Sequence, residues 1–440
     1  MKFYNRTSEL AELKRIQKLS FSDHSRLTVV TGRRRIGKTS LIMKAVEDSP
    51  VVYLFVGRKN EATLCAEYIP LISQTLKVYI PNEIKTFPSL FQYMMELATR
   101  MEFNLIIDEF QEFYNINESI YSDMQNIWDQ YRKKSRINLI VSGSIYSLMQ
   151  KIFQNSKEPL FGRADNIIKL SAFNLSTLKE IMHDYRPEYT NDDLLALYTF
   201  TGGVPKYIEL FCDNDSLIVD EMIGFMIREN SSFIDEGKNL LIEEFGKNYA
   251  TYFSILSAIS GGINTQPGIE AALGEKSIGG QIKRLIEDYN IITRQRPILA
   301  KEGTQAVRYE ITDNFIRFWF NYFDRHRSMI EIKNYIGLQE IVKSDYPTYS
   351  GKSLEMYFKQ QFAETYQYQA IGSWWELKNG ENEIDIVALK LEKNQAIVAE
   401  VKRQRKNFKP ELLAAKVEHL RKKVLPKFEI ETLCLSLEDM

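Results

Sequence analysis

The chain has 440 residues, 44% of them hydrophobic and 26% charged, which is the balance of a folded globular protein and excludes a disordered one. Its 57 Lys and Arg nearly cancel 58 Asp and Glu, so overall charge gives no reason to expect a nucleic-acid or membrane partner, and any such contact must come from a local patch. Low Gly (21) and Pro (12) counts point to a helix-rich chain without a long flexible linker. The three cysteines, Cys65, Cys212 and Cys434, lie far apart, which excludes a disulfide framework and fits a reducing compartment. His24, His183, His326 and His419 are equally scattered, against a His/Cys zinc site. Met1 to Arg6 lack the apolar core of a signal peptide, and no apolar run approaches the ~18 residues of a membrane helix. A cytoplasmic location with no membrane contact is therefore expected.

The first informative segment is Leu27 to Thr31, a buried strand followed at once by Gly32-Arg33-Arg34-Arg35-Ile36-Gly37-Lys38-Thr39. This is a G-x4-G-K-T loop, whose glycines let backbone amides converge on phosphate oxygens. Lys38 is placed to reach the β- and γ-phosphates and Thr39 to bind Mg²⁺. The helix beginning at Ser40 adds a positive dipole end facing the anion. A chance match in a strand-to-helix turn is the competing reading, and the strand–loop–helix context weighs against it.

A second apolar strand, Phe103 to Ile107, ends in Asp108-Glu109. Asp108 is expected to hold the metal through water and Glu109 to polarise the attacking water as its base, which favours hydrolysis over passive binding. A third strand, Ile137 to Val141, ends in Ser142-Gly143-Ser144, where the Ser144 hydroxyl is a candidate γ-phosphate sensor; ordinary turn chemistry explains the tripeptide equally well.

These motifs, with the opening Phe3 to Leu10, Leu160-Phe161-Gly162-Arg163 and Gly202-Gly203-Val204-Pro205, resemble the archaeal-type ATPases of the AAA+/STAND division. The resemblance implies that Arg6 and Glu9 lie near the adenine end and that Pro205 belongs to a lid over the nucleotide. It makes Arg163 a candidate finger or sensor for the γ-phosphate, against the alternative of a solvated arginine after a turn. A finger acting in trans would require a homo-oligomer.

Residues 174–240 read as the helical lid, with an N-cap at Asn191-Asp192-Asp193 and a helix started by Pro205. Beyond it, three helical stretches (Tyr252 to Ile259, Gly268 to Leu273, Ile278 to Tyr289) precede two strands joined by a turn at Lys301-Glu302-Gly303-Thr304. That is the pattern of a winged helix-turn-helix, and its third helix would offer Lys276, Ser277, Gln281, Lys283 and Arg284 to DNA, with Arg294 and Arg296 nearby. A packing module is the alternative. The aromatic segment Ile311 to Phe320 is expected to pack in the core rather than to stack on bases.

From about residue 340 a separate domain begins. Gly351 to Phe358 opens a helix carrying Glu355; Glu383 to Leu389 and Gln395 to Lys402 read as strands. Residues two apart share a face of a strand, so Glu400 and Lys402 point the same way, and a hairpin would bring Asp385 to them. Asp385, Glu400 and the Val401 carbonyl, with Glu355 in reach, suit a second Mg²⁺ or Mn²⁺, and Lys402 could stabilise developing negative charge. The pattern is similar to the PD-(D/E)XK restriction-endonuclease-like superfamily and to the domain of unknown function that ends the same ATPase family, although Ile384 stands where that motif has proline. An amphipathic hairpin with a wet Glu/Lys face is the alternative. The basic run Lys402 to Lys409, continued by Arg421-Lys422-Lys423, is a candidate phosphate track or a solvated helix face.

The expected fold is α/β: a P-loop NTPase core (1–173), a helical lid (174–240), a winged helix-turn-helix (245–330) and a restriction-endonuclease-like domain (340–440). The expected function is an ATP-driven switch or motor, taking ATP/ADP and Mg²⁺, whose terminal domain binds nucleic acid, with cleavage left open. A non-nucleolytic signalling scaffold and a winged-helix DNA regulator are the alternatives.

Overall fold

The computed structural model describes every residue except 82, 247, 248, 302, 305 and 377–381, so Glu302 of the expected turn lies outside the described residues. The chain divides into two compact units, residues 4–172 and residues 173–440 with 1–3.

The first unit is built on five strands: β1 (Arg26–Thr31), β2 (Val51–Phe55), β3 (Phe103–Asp108), β4 (Ile137–Gly143) and β5 (Asn166–Lys169). They form one parallel sheet in the order β2-β3-β4-β1-β5. A parallel sheet is covered on both faces, which is why β3 and β4 are buried at every position and read as unbroken apolar runs. Alternate residues serve the two faces. Leu105, Ile107, Leu139 and Val141 join a core with the helices Glu61–Leu76, Phe87–Leu97 and Ser119–Tyr131. On β1 and β4 lie the helices Thr7–Ser22 and Lys38–Val46. Strand order 2-3-4-1-5 places the C-terminal ends of β1, β3 and β4 side by side, where the three motifs read from the sequence all sit.

The second unit begins with helices. Asn191–Thr201 starts with a capping box in which Thr190 and Asp193 satisfy each other's backbone amides, and Pro205 is the first residue of the helix Pro205–Asp213. Helices Tyr249–Ser260, Gln266–Ala272 and Gly279–Glu287 then lead into an antiparallel pair, β6 (Ile292–Gln295) and β7 (Arg308–Ile311). Phe315, Phe318, Trp319 and Phe320 are all buried, so the aromatic segment is core, as expected. Phe318 packs edge-on to Phe200, and the Trp319 indole donates to the Ile234 carbonyl at 2.7 Å.

The last helix before the C-terminal sheet runs from Tyr335 to Glu364, 30 residues, through Pro347. The expectation of a helix opening at Gly351 is thus corrected: Glu355 lies well inside a long helix. Buried Leu338, Val342, Tyr346, Leu354 and Tyr357 outweigh the ~3 kcal/mol that an internal proline costs. The sheet has the order β11-β10-β9-β8, from β8 (Tyr368–Trp374), β9 (Ile384–Lys390), β10 (Gln395–Val401) and β11 (Glu429–Leu435). β8, β9 and β10 are antiparallel; the helix Pro410–Lys423 carries the chain over to β11, parallel to β10. That helix packs Leu413, Val417 and Leu420 on Val387, Leu389 and Val398, while the long helix touches β8, β9 and β10.

Candidate functional site

In the first unit the loop between β1 and the helix Lys38–Val46 folds as the motif requires. Gly32 (φ 153°) has no room for a side chain, since a Cβ there would lie 2.9 Å from the Leu170 carbonyl; Gly37 (φ 88°) is the N-cap of the helix. Lys38 donates from Nζ to the carbonyls of Gly32 (2.8 Å) and Arg33 (3.0 Å), so its buried ammonium lies over the loop. Thr39 and Ser40 stand exposed in the first turn, and Ile36 is buried. Arg6, also buried, clamps the loop from the side: its guanidinium donates to the Ser171 carbonyl at 2.6 Å and the Ile36 carbonyl at 3.5 Å, and it pairs with Glu9 at 3.4 Å. Arg33, Arg34 and Arg35 flank this cradle.

The carboxylates at the end of β3 meet it. Asp108 Oδ2 accepts from Thr39 Oγ1 (2.9 Å) and from the Tyr53 hydroxyl (2.7 Å), while Oδ1 accepts from Ser142 Oγ and from the Glu109 amide (3.0 Å). Burial alone would raise the Asp108 pKa, but the donors Ser142, Tyr53 and Thr39 outweigh it and hold the carboxyl below its ordinary value. The result is a buried, ionised oxygen ligand hydrogen-bonded to the loop threonine, the donor set that a hard divalent cation prefers. Glu109 adopts a left-handed backbone (φ 54°), unusual for a non-glycine residue, and its Oε2 accepts from Ser144 Oγ at 2.7 Å and the Ser144 amide at 3.3 Å. Gln111 Nε2 donates to the same oxygen. Ser144, expected to face phosphate, thus holds Glu109.

Tyr53, Ser142 and Gln111 were not anticipated. Ser142 lies within β4 two residues before Ser144, which stands just past the strand end. Nothing in the local sequence marks Tyr53, which arrives through the β2–β3 pairing of Phe55 with Asp108. Arg163 is half-buried, donates to the Phe161 carbonyl (3.0 Å) and pairs with Asp129 (3.0 Å). Pro205 belongs to the other unit.

The C-terminal constellation forms in part. Pairing of β9 with β10 places Asp385 beside Glu400 and Val401, and Asp385 Oδ2 accepts from the Val401 amide at 2.8 Å. Glu400 is held by two ammonium groups, Lys402 (2.8 Å) and Lys416 (3.0 Å). Against the upward push of burial, these lysines keep its carboxyl below the ordinary value, and Glu400 raises the Lys402 pKa in turn. Burial and the charge of Glu355 push Asp385 the other way, to about 6. Glu355 itself pairs with Lys352 at 2.8 Å. Among the described residues no three His, Cys, Asp or Glu side chains gather as a ready ligand set. Lys416, on the helix Pro410–Lys423, was missed because only the sheet–helix packing brings it to Glu400.

Several cations of the expected nucleic-acid faces are ion-paired, most of them in the C-terminal basic run. Arg403 binds Asp192 and Ser350, Arg405 pairs with Glu438 and Asp439, Arg421 with Glu418, and Lys423 with Glu376. Lys283 lies 3.7 Å from Glu287, and Tyr252 raises the Arg284 pKa by a side-chain hydrogen bond.

Comparison with known proteins fits this geometry. Residues 3–211 match a family described as an ATPase domain predominantly from Archaea, and residues 319–414 match one described as archaeal and bacterial proteins of unknown function. The chain is 30% identical over 400 residues to the uncharacterized protein MJECL04 of Methanocaldococcus jannaschii, covering 89% of this chain and 86% of that one. Among solved structures, the Walker-type ATPase of Pyrococcus abyssi shares 18% identity over 72% of this chain and 96% of its own, with a TM-score of 0.51. The Aeropyrum pernix ORC2 protein shares 14% over 75% and 96%, with a TM-score of 0.49. No helix among the described residues is long and apolar enough to cross a membrane.

Proposed function

Because the chain belongs to the same family as MJECL04 of Methanocaldococcus jannaschii and carries an archaeal-type ATPase domain over residues 3–211, we propose that it is an ATP-hydrolysing switch or motor coupled to a C-terminal domain that acts on nucleic acid. The observation that carries the first half is the chain of contacts Thr39–Asp108 and Ser144–Glu109 at the mouth of the phosphate loop. In this reading the loop amides and Lys38 bind the β- and γ-phosphates of ATP, and Arg6 fixes the loop near the adenine end. Mg²⁺, held by Thr39 and Asp108, would neutralise phosphate charge. Glu109 takes the proton of the attacking water, and Ser144 positions its carboxylate until a γ-phosphate competes for the hydroxyl. Arg163 serves as a finger only after leaving Asp129, for instance in an oligomer. The domain division 1–173, 174–240, 245–330 and 340–440 belongs to the same proposal, with Pro205 in the lid and residues 245–330 as a winged helix.

For the second half, the order helix, three antiparallel strands, helix, parallel strand supports a restriction-endonuclease-like domain, with Asp385, Glu400 and Glu355 as metal ligands and Lys402 as the charge stabiliser. One observation favours a second reading, in which this domain binds without cutting. Glu400 is already neutralised by Lys402 and Lys416, so a cation must displace at least one of them. Incubating the full chain with plasmid and single-stranded DNA, with Mg²⁺ or Mn²⁺ and with or without ATP, separates the two. Cleavage that disappears in Lys402→Ala and changes with ATP in a manner lost in Lys38→Ala supports the coupled nuclease. Intact ATP hydrolysis with no cleavage under any condition supports the non-nucleolytic switch.

A further inference from the structure

The second unit contains a cavity of about 330 Å³ that the ATPase and nuclease readings leave unused. It is lined by the β6–β7 pair, the long helix Tyr335–Glu364 and β8, and neither Asp385, Glu400 nor Lys402 lines it. Its walls are rich in cations, and these fall into two classes. Arg308 is balanced by Glu383 at 3.0 Å, and Lys352 by Glu355 at 2.8 Å and Glu310 at 3.6 Å. Arg317 and Lys359 form no ion pair among the described residues, although Glu355, Glu310 and Asp385 act on Lys359 from farther away.

Arg317 is the more telling of the two, because only 8% of it is exposed. Its terminal nitrogens donate to neutral groups, Ser353 Oγ at 2.6 Å and Met356 Sδ at 3.1 Å, and its Nε is buried with no acceptor. Lys359 donates to Ser373 Oγ at 2.6 Å, and burial together with neighbouring Lys352 lowers its pKa. The Tyr349 ring lies 5.3 Å from the Arg317 guanidinium, and no acceptor meets the proton of its buried hydroxyl.

Buried cations without counter-charge are costly, and so are buried donors without acceptors. One such buried cation, Arg317, with the half-buried ammonium of Lys359 and two idle polar groups on the same cavity, is matched by one dianion rich in acceptor oxygens. We propose that this cavity binds the phosphate group of a small phosphomonoester, with Arg317 and Lys359 as its counter-charges and Tyr349 as a further hydrogen-bond donor. Phosphate supplies two negative charges and several acceptors in one compact group, and Arg is the side chain best suited to hold it in a desolvated place. A volume of about 330 Å³ is at the small end of ligand sites, which leaves room for a compact body beside the phosphate.

The test is isothermal titration calorimetry on the full chain in chloride buffer of fixed ionic strength, with inorganic phosphate and with AMP. Comparing wild type with Lys359→Gln, Lys359→Arg and Arg317→Gln isolates the cavity, since the phosphate loop is unchanged in all of them. Binding of phosphate, AMP or both should weaken at least tenfold in Lys359→Gln and recover in Lys359→Arg. Tighter binding of AMP identifies an esterified ligand; equal binding identifies free phosphate. Without phosphate, Lys359→Gln should melt at or above the wild-type temperature, because it removes an unbalanced charge. Should Arg317→Gln fail to fold, the Lys359 pair still decides. Binding that is unchanged in Lys359→Gln, or no phosphate binding by wild type beyond that of the phosphate loop, overturns the proposal. ATP hydrolysis, read separately, stays at the wild-type level in the Lys359 variants.

Discussion

Asp108 and Asp385 end or begin strands in much the same way, yet their surroundings drive them apart. Asp108 receives four hydrogen bonds and stays ionised below its ordinary range, whereas Asp385 receives one and is pushed to about 6 by burial and by Glu355. The sign of the consequence follows from linkage. Between about pH 4 and pH 6 the folded chain holds a proton on Asp385 that the unfolded chain has released, so stability falls as pH rises through that window. Asp385→Asn removes this cost. Its melting temperature should match wild type at pH 4 and exceed it at pH 8, by an amount on the order of 2 kcal/mol in stability. An identical difference at both pH values would mean that the substitution acts through shape and not charge. On the proposed metal reading, Mn²⁺ should reverse the order at pH 8, because it would take ionised Asp385 as a ligand.

At the level of elements, the motifs around the phosphate loop were legible because each is contiguous: strand, loop and helix for Gly32 to Val46, strand and carboxylates for Phe103 to Glu109. What the sequence concealed came from neighbours in space. Tyr53 and Ser142 reach Asp108 only because the strand order is β2-β3-β4. The start of the long helix was hidden by Pro347, which reads as a break although packing carries the helix through it. Arg317 and Lys359, the cavity cations without an ion pair, come from two helices, Asn314–Phe318 and Tyr335–Glu364, and no local spacing announces them. A second packing constraint lies inside Ser232–Phe245, where a Cβ on Gly237 would sit 2.4 Å from the Trp319 indole. Helix propensity alone would make Gly237→Ala stabilising by up to ~1 kcal/mol. The clash with a buried indole should win, destabilising the chain by about 1–3 kcal/mol in chemical unfolding. Adding Trp319→Phe should recover part of that loss; strictly additive effects would show that the two sites do not meet.

For the whole molecule, one family assignment spans most of the chain and two domain matches divide it. The ATPase domain has the fold, the loop and the carboxylates of a nucleotide hydrolase. The C-terminal domain has a four-stranded sheet in the order β11-β10-β9-β8, on which Asp385 lies beside Glu400, and that glutamate is balanced by Lys402 and Lys416. ATP hydrolysis is therefore the claim on which a switch or motor rests, and Glu109, the proposed base, is the residue whose substitution should separate turnover from binding. The most direct measurement is ATP binding and steady-state hydrolysis by purified wild type, Glu109→Gln and Lys38→Ala. Glu109→Gln should bind ATP as wild type does while turning it over about 10²- to 10⁴-fold more slowly, and Lys38→Ala should lose binding. Wild-type hydrolysis by Glu109→Gln would contradict the assignment, and no hydrolysis by wild type with tight ATP binding would make the chain a nucleotide-gated binder instead.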